Sequence, residues 1–295
     1  MAGRSVRSAG APSVAGESGM SPVVATRSKH FRHEAQRLEI LNAAAAAIAE
    51  HGFHGMTMRG LARATGRGLS TFYDYFSSKE DLLFSLQTDA FETMAHSANA
   101  ALEDVDDPVD RLYVFILNHL RYSAENRSEM RVLVHEASAL PAGRRKTVRL
   151  LKECYFNICR DIVASILVSG FNASDAGGAD TLDPAEVERV TYSVFGMLNW
   201  SYGWYDPQQH GTPHDVARTI HSLAVSGLAA HCPERFAPSR LEHRLDAIAL
   251  SPLIGSSGGK VAPKVAPIGS RLPPAEIKRT SGAELRTGLV DRSSV

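Results

Sequence analysis

Three times along this chain a small polar residue is followed at once by proline: Asp107-Pro108, Asp183-Pro184 and Thr212-Pro213. A side-chain oxygen able to cap orphan amides, then a ring fixed near helical φ with no N–H to waste, is a helix start. Pro141 marks another boundary, between a helix over about 127–139 and a long one over about 143–169. The stretch from Asn172 to Thr181 reads as a loop. Residues 33–232 contain no alternating apolar–polar run of the sort a strand requires, and no internal repeat. The fold class expected is therefore all-α, with about nine helices.

The front of the chain divides into short helices. Ile40, Ala44, Ala47 and Ile48 lie on one stripe of an alanine-rich helix that Gly52 ends. Thr57 caps a second helix running through Arg63, and Gly66 breaks it. A third carries Thr71, Phe72, Tyr73 and Phe76. Ser78-Lys79-Glu80-Asp81 has the form of a capping box, with Asp81 reaching back, and opens a fourth helix through Leu82, Leu83, Leu86 and Phe91. Two short helices joined by a glycine turn, the second polar and aromatic, meet the requirement for entering a DNA major groove about 12 Å wide.

Charge adds a direction. Lys plus Arg (32) balances Asp plus Glu (32) over the whole chain. Yet residues 1–85 carry 10 cations against 7 acids, residues 86–232 carry 12 against 19, and residues 233–295 carry 10 against 6. If a polyanion binds, it binds the front. Residues 1–32, with Arg4, Arg7, Arg27, Lys29 and Arg32 against Glu17, read as a disordered basic arm, Arg27, Lys29 and Arg32 being placed to enter a minor groove. The Gly-, Ser- and Pro-rich residues 233–295 read as a disordered tail. Between them the expected units are a helix-turn-helix domain at 33–84, with its motif at about 57–76, and a larger helical domain at 85–232.

Several classes are disfavoured. The longest apolar run, Ala43 to Ala49, is far short of the roughly 20 residues of a membrane helix. No secretory start opens the chain, and three scattered cysteines suit a reduced cytoplasm. Gly66-Arg67-Gly68 follows no strand, and Gly258-Gly259-Lys260-Val261 lacks the phosphate loop's first glycine and hydroxyl. Cys154 and Cys159 stand about 140° apart around a helix and cannot chelate together, and the twelve histidines are dispersed. No metal or cofactor is expected, and an enzyme is the disfavoured reading.

Arg37, Ile40-Leu41, Ala43-Ala44, Glu50, Gly52-Phe53, Thr57, Leu61-Ala62, Gly66, Thr71-Phe72-Tyr73, Tyr75-Phe76 and Ser78 to Leu82 together resemble the DNA-binding domain of the TetR/AcrR repressor family. The resemblance runs in order over about fifty residues. It implies that Thr57 caps the second helix and reaches a phosphate, that Ser70, Thr71 and Tyr73 face DNA, and that Phe72 and Phe76 hold the recognition helix to the core. It also implies a phosphate contact from Lys79. With Arg59, Arg67 and Gly68 these complete the candidate DNA-facing set. Gly60, Arg67, Gly68 and Leu69 depart from the family pattern, Arg67 as a candidate added contact. For Tyr75 a core role and a DNA role stand level, and Asp74 reads as an orienting or solvated charge.

The family further implies a dimeric, effector-binding domain behind the motif. Gly196 to Pro207, with Trp200 and Trp204 one turn apart, resembles a branch of TetR-type repressors of fatty-acid and steroid catabolism whose ligands are acyl-CoA thioesters. Two aromatics so spaced serve equally as core or as ligand platform. Arg121 is a candidate for the effector's charge, whereas the run Arg144, Arg145, Lys146, Arg149 and Lys152 reads first as a solvated face. Val187, Val190, Val194, Met197 and Leu198, with Val216, Ile220, Leu223, Ala224 and Leu228, form two apolar stripes expected to build a four-helix homodimer interface. The expectation is a repressor released from its operator by a hydrophobic effector, an acyl-CoA or alternatively a drug or free fatty acid.

Overall fold

A computed structural model describes residues 22–171 and 183–231. The expected loop at 172–181 and tail at 233–295 lie outside the described residues. Among those described every regular element is helical: α1 (Pro22–Gly55), α2 (Met58–Ala64), α3 (Leu69–Tyr75), α4 (Lys79–Leu102), α5 (Pro108–Glu125), α6 (Arg127–His135), α7 (Ala142–Phe171), α8 (Pro184–Asn199), α9 (Ser201–Trp204), α10 (Pro207–His210) and α11 (Pro213–His231). The two four-residue turns α9 and α10 account for the difference from the nine expected. The expected basic arm needs correction from residue 22 onward, residues 1–21 lying outside the described residues. Helix α1 begins at Pro22 rather than after residue 32, proline serving as its first helical residue and no glycine interrupting the chain before Gly52.

The expected caps form. Asp107 Oδ1 accepts from the amides of Val109 and Asp110 at 2.9 and 3.2 Å, and Asp183 Oδ1 from Ala185 at 2.9 Å. Thr212 and Asp215 cap reciprocally. Asp215 Oδ2 accepts from the Thr212 amide (2.8 Å) and hydroxyl (2.6 Å), which holds its carboxyl below the usual range. The box at Ser78 differs in one bond: Ser78 Oγ accepts from the Asp81 amide at 3.0 Å, but Asp81 reaches back to the amide and hydroxyl of Ser77.

Helix α4 is the spine, packing along α7 and α5, while α11 packs on α5 and α8 on α7. Leu82, Leu83, Leu86, Met94, Leu112, Phe115 and Ile116 fill this core and are at most 1% exposed. The interfacial stripes need a second correction. Val187, Val194, Leu198, Val216, Ile220 and Leu228 are buried within the protomer, and of the two stripes only Leu223 is exposed. Those stripes satisfy the subunit's own core first.

Two buried titratable groups oppose each other. Burial pushes the imidazole of His119 down to about 4, and pushes the Glu129 carboxyl up to about 7 despite the Tyr122 hydroxyl it binds. His119 thus removes stability as pH falls from about 6.5 to 4, and Glu129 removes it as pH rises from about 4.5 to 7. Between about 4.5 and 6.5 the two slopes, each about 1.4 kcal/mol per pH unit, cancel. Thermal melts across that window should show stability tilting upward with pH in Glu129→Gln and downward in His119→Phe, both relative to the unmutated protein. Parallel curves would refute the assignment.

Candidate functional site

The front module is built from local rules. Thr57, with extended backbone, accepts from the Gly60 amide at 3.0 Å and starts α2. At the other end the Arg67 amide returns to the Ala62 carbonyl (3.0 Å) and the Gly66 amide to Arg63 (3.2 Å), with Gly66 at φ 65°. That double closure demands a residue tolerant of left-handed backbone, which is why Gly66 stands there. Helix α3 then buries Phe72 and, just past its end, Phe76, at 0% and 1% exposure. Ser70, Tyr73 and Asp74 fall on the opposite side and are exposed, Tyr73 by 51%. Thr71 is half-buried beside them, and Thr57, Arg59 and Gly68 are exposed. The stripe leaves polar groups free to read an external partner.

Two candidates are already engaged. Arg67 pairs with Glu39 of α1, tying the interhelical turn to that helix. The Lys79 ammonium lies 4.6 Å over the Phe53 ring and donates to the Phe53 carbonyl at 3.4 Å, half-buried at the start of α4. Tyr75 takes the core role: its hydroxyl donates to Gln36 at 3.1 Å and its ring packs on His33.

The Trp segment is arranged differently from the expectation of a single helical face. Trp200 is the junction between α8 and α9, and the two indoles are 61% and 39% exposed. Tyr202 and Tyr205 supply the buried side instead. Trp200 packs on Tyr202, and Trp204 on Tyr205 and His210. Arg121 binds His214 at 2.8 Å and joins α5 to α11. As arginine can only donate, His214 Nε2 accepts and its Nδ1–H donates to the Tyr113 hydroxyl at 3.1 Å.

Helix α6 links this segment to the front module. Arg127 donates to the carbonyls of Tyr202 (2.7 Å) and Gly203 (3.3 Å), and His135 meets the Tyr202 hydroxyl at 2.5 Å. Next to His135, Glu136 Oε1 accepts from the Phe53 amide at 3.1 Å, where α1 turns at Gly52 (φ 72°). A cleft of about 160 Å³ lies here, lined by Ile48, Gly52, Arg131, Val132, His135 and Glu136. Sequence reasoning missed Arg127, His135 and Glu136. Their partners stand 75, 67 and 83 residues away, and no local spacing signals such pairs.

A capped, glycine-turned pair of short helices presenting an exposed polar stripe, set on a larger helical domain, defines a helix-turn-helix regulator. Residues 40–86 match the family described as bacterial regulatory proteins, tetR family, and residues 105–228 match a tetracyclin repressor-like C-terminal domain. The chain belongs to the TetR family of transcriptional regulators. It is 25% identical over 192 residues to the fatty acid metabolism regulator protein of Bacillus subtilis (strain 168), covering 65% of this chain and 94% of that one. A TetR-family regulator from Bordetella parapertussis shares the fold with a TM-score of 0.56 at 24% identity, over 64% of this chain and 93% of that chain. AibR, solved with isovaleryl coenzyme A and operator DNA, superposes with a TM-score of 0.52 at 22% identity, over 63% and 96%. No helix among the described residues is long and apolar enough to cross a membrane.

Removing Glu136 strands the Phe53 amide. Glu136→Ala should lower stability by about 1–2 kcal/mol in denaturant titrations, with Glu136→Gln, which keeps an acceptor, costing less.

Proposed function

We propose that this protein is a homodimeric, ligand-responsive repressor acting in the cytoplasm, with no catalytic role and no cofactor. The observation that carries the DNA-binding half is the exposed Ser70–Tyr73–Asp74 stripe on a helix anchored from behind by Phe72 and Phe76. In this reading Ser70, Thr71 and Tyr73 meet base edges, while Thr57, Arg59 and Lys79 meet phosphates. Arg67 acts through Glu39, setting the angle of the turn, and Gly68 lets the backbone approach closely.

For the effector, we favour an acyl-CoA thioester over a drug or free fatty acid. The Bacillus subtilis relative is a fatty acid metabolism regulator, and AibR holds isovaleryl coenzyme A. Trp200 and Trp204, being exposed, suit a surface platform for a nucleotide ring, with Arg121 to meet its charge from α5, the helix whose Ser123 hydroxyl lies 3.1 Å from that of Ser201. From the platform α6 leads directly to Phe53 of the DNA module.

Operator capture and footprinting beside the protein's own promoter, repeated with a panel of acyl-CoAs, test both halves. Lys79→Ala should weaken all DNA alike and lower the salt slope by roughly one unit, whereas Thr71→Ala should change base preference. Acyl-CoAs should release the operator roughly 5- to 150-fold, the range of ordinary coupling energies. Release by free acids alone would transfer the effector assignment to them.

The dimer face we assign to the outward sides of α8 and α11. Tyr192 and Leu223 are 63% and 62% exposed there, and the helix-interior Gly196 and Gly227 face open space with no neighbour within 4 Å. Glycine inside a helix costs about 1 kcal/mol relative to alanine, a cost offset when a second backbone must approach closely. Gly196→Leu should therefore raise the monomer–dimer constant at least roughly tenfold in sedimentation, the effect of about 1.4 kcal/mol, with helix content retained. An unchanged constant would remove α8 from the interface.

A further inference from the structure

Helices α1 and α6 pack against each other, yet between them they leave the cleft of about 160 Å³ described above. Buried Ile48 and Val132, with half-buried Ala49, give it an apolar lining. Charge is divided across it. The α1 wall carries the carboxylate of Glu50, and the α6 wall carries the guanidinium of Arg131 and, just past the helix, the carboxylate of Glu136. These opposite charges line one cleft without closing on each other. Among the described residues Arg131 makes no ion pair or hydrogen bond, and Glu50 reaches only its chain neighbour His51, at 3.8 Å. Glu136 Oε1 is held by the Phe53 amide at 3.1 Å, and among the described residues no donor meets Oε2. His135 is committed to the Tyr202 hydroxyl, which leaves Arg131 as the cation able to meet a guest.

That pattern selects a ligand class. A complementary guest offers a carboxylate to Arg131, an ammonium to Glu50 and to Glu136 Oε2, and a short hydrocarbon to Ile48, Ala49 and Val132. In an α-amino acid all three groups branch from one carbon. Size points the same way. An enclosed cavity of about 150 Å³ holds benzene, so an open-mouthed one of about 160 Å³ suits an amino acid of valine's dimensions. A drug-sized molecule, whose pocket runs to roughly 300–1,000 Å³, does not fit.

We propose that the cleft between α1 and α6 binds a short aliphatic α-amino acid, which bridges the two helices and acts as a co-repressor. Glu50 stands two residues before the Gly52 turn, and Glu136 holds the Phe53 amide. A guest joined to both, and to Arg131, resists any movement of α6 away from α1. A ligand shifts an equilibrium toward the arrangement it binds, so occupancy favours the seated α6 and with it the operator-bound form. The direction of that effect rests on the control route through α6 proposed above; the binding itself does not. The site is separate from the exposed tryptophans and from the outward faces of α8 and α11, none of which lines the cleft.

The test is a ligand-observed NMR titration of the full chain with L-valine, for which a Kd of roughly 0.1–1 mM is expected from so small a guest. 3-Methylbutanoate lacks the ammonium and 2-methylpropan-1-amine lacks the carboxylate. Each should bind at least roughly tenfold more weakly, the effect of losing one set of charged hydrogen bonds. Glu50 and Arg131 are exposed, so Glu50→Gln and Arg131→Gln keep the fold. Each should weaken valine roughly 5- to 10-fold. Arg131→Gln should leave the amine's affinity intact and Glu50→Gln the acid's, a crossed pattern that general damage to the cleft would not produce. In operator titrations saturating valine should tighten DNA binding roughly fivefold, and operator DNA should tighten valine by the same factor. No saturable valine binding, equal binding of the three ligands, or indifference to both substitutions overturns the site. Binding that leaves operator affinity unchanged, or lowers it, overturns the co-repressor role. Displacement of valine by an acyl-CoA would merge the two sites and overturn the proposal as well. Failure of acyl-CoAs to release the operator, with valine still bound and tightening DNA, would sink the effector reading alone.

Discussion

The peptide of Phe53 is held from two directions, and the relation of the DNA module to the rest of the protein depends on it. Gly52 turns the backbone out of helix, freeing the Phe53 amide, and Glu136 at the end of α6 accepts it. The carbonyl and ring of the same residue receive Lys79 from α4. The side chain, 2% exposed, belongs to the module's core. A displacement of α6 is therefore a displacement of the residue on which α1 and the start of α4 are both seated. This gives the two-state element that ligand control requires a physical address.

Ion pairs brace the same junction. Acids on α4 hold cations from both flanking parts: Asp89 binds Arg37 of α1 at 2.5 Å, and Asp81 binds Arg144 of α7 at 3.0 Å. Arg144 also lies over the Phe84 ring at 5.2 Å. So one residue of the basic run at the head of α7 is an anchor between the domains, while the others are exposed or nearly so. Half-exposed pairs of this kind contribute modestly to stability, and their worth is in fixing orientation.

What could be read in the sequence was what is local. Thr57, Gly66, Asp107 and Asp183 act within four residues of themselves, so spacing alone placed them. The anchoring role of Phe72 and Phe76 came from the family resemblance, and both side chains are buried. The misplaced features all depend on distant chain. The α8 and α11 stripes looked like subunit interface but are covered by the protomer's own helices. Trp200 and Trp204 looked like one helical face, and the chain changes helix at Trp200. Nothing near Glu136 announces an amide 83 residues earlier, nor anything near His119 a tyrosine 36 residues later.

The outward glycines and the exposed Tyr192 and Leu223 have a consequence for the protein's lifetime in a cell. A pairing that covers them draws on the supply of folded partners, so stability rises with abundance by mass action. A newly made subunit at low copy number spends longer unpaired, with apolar surface open to proteases and chaperones. Dilution by growth would then be sharpened, because the scarce regulator is also the shorter-lived one. The number of molecules on guard at a promoter would be set by the affinity of two helices for their own copies as much as by the rate of synthesis.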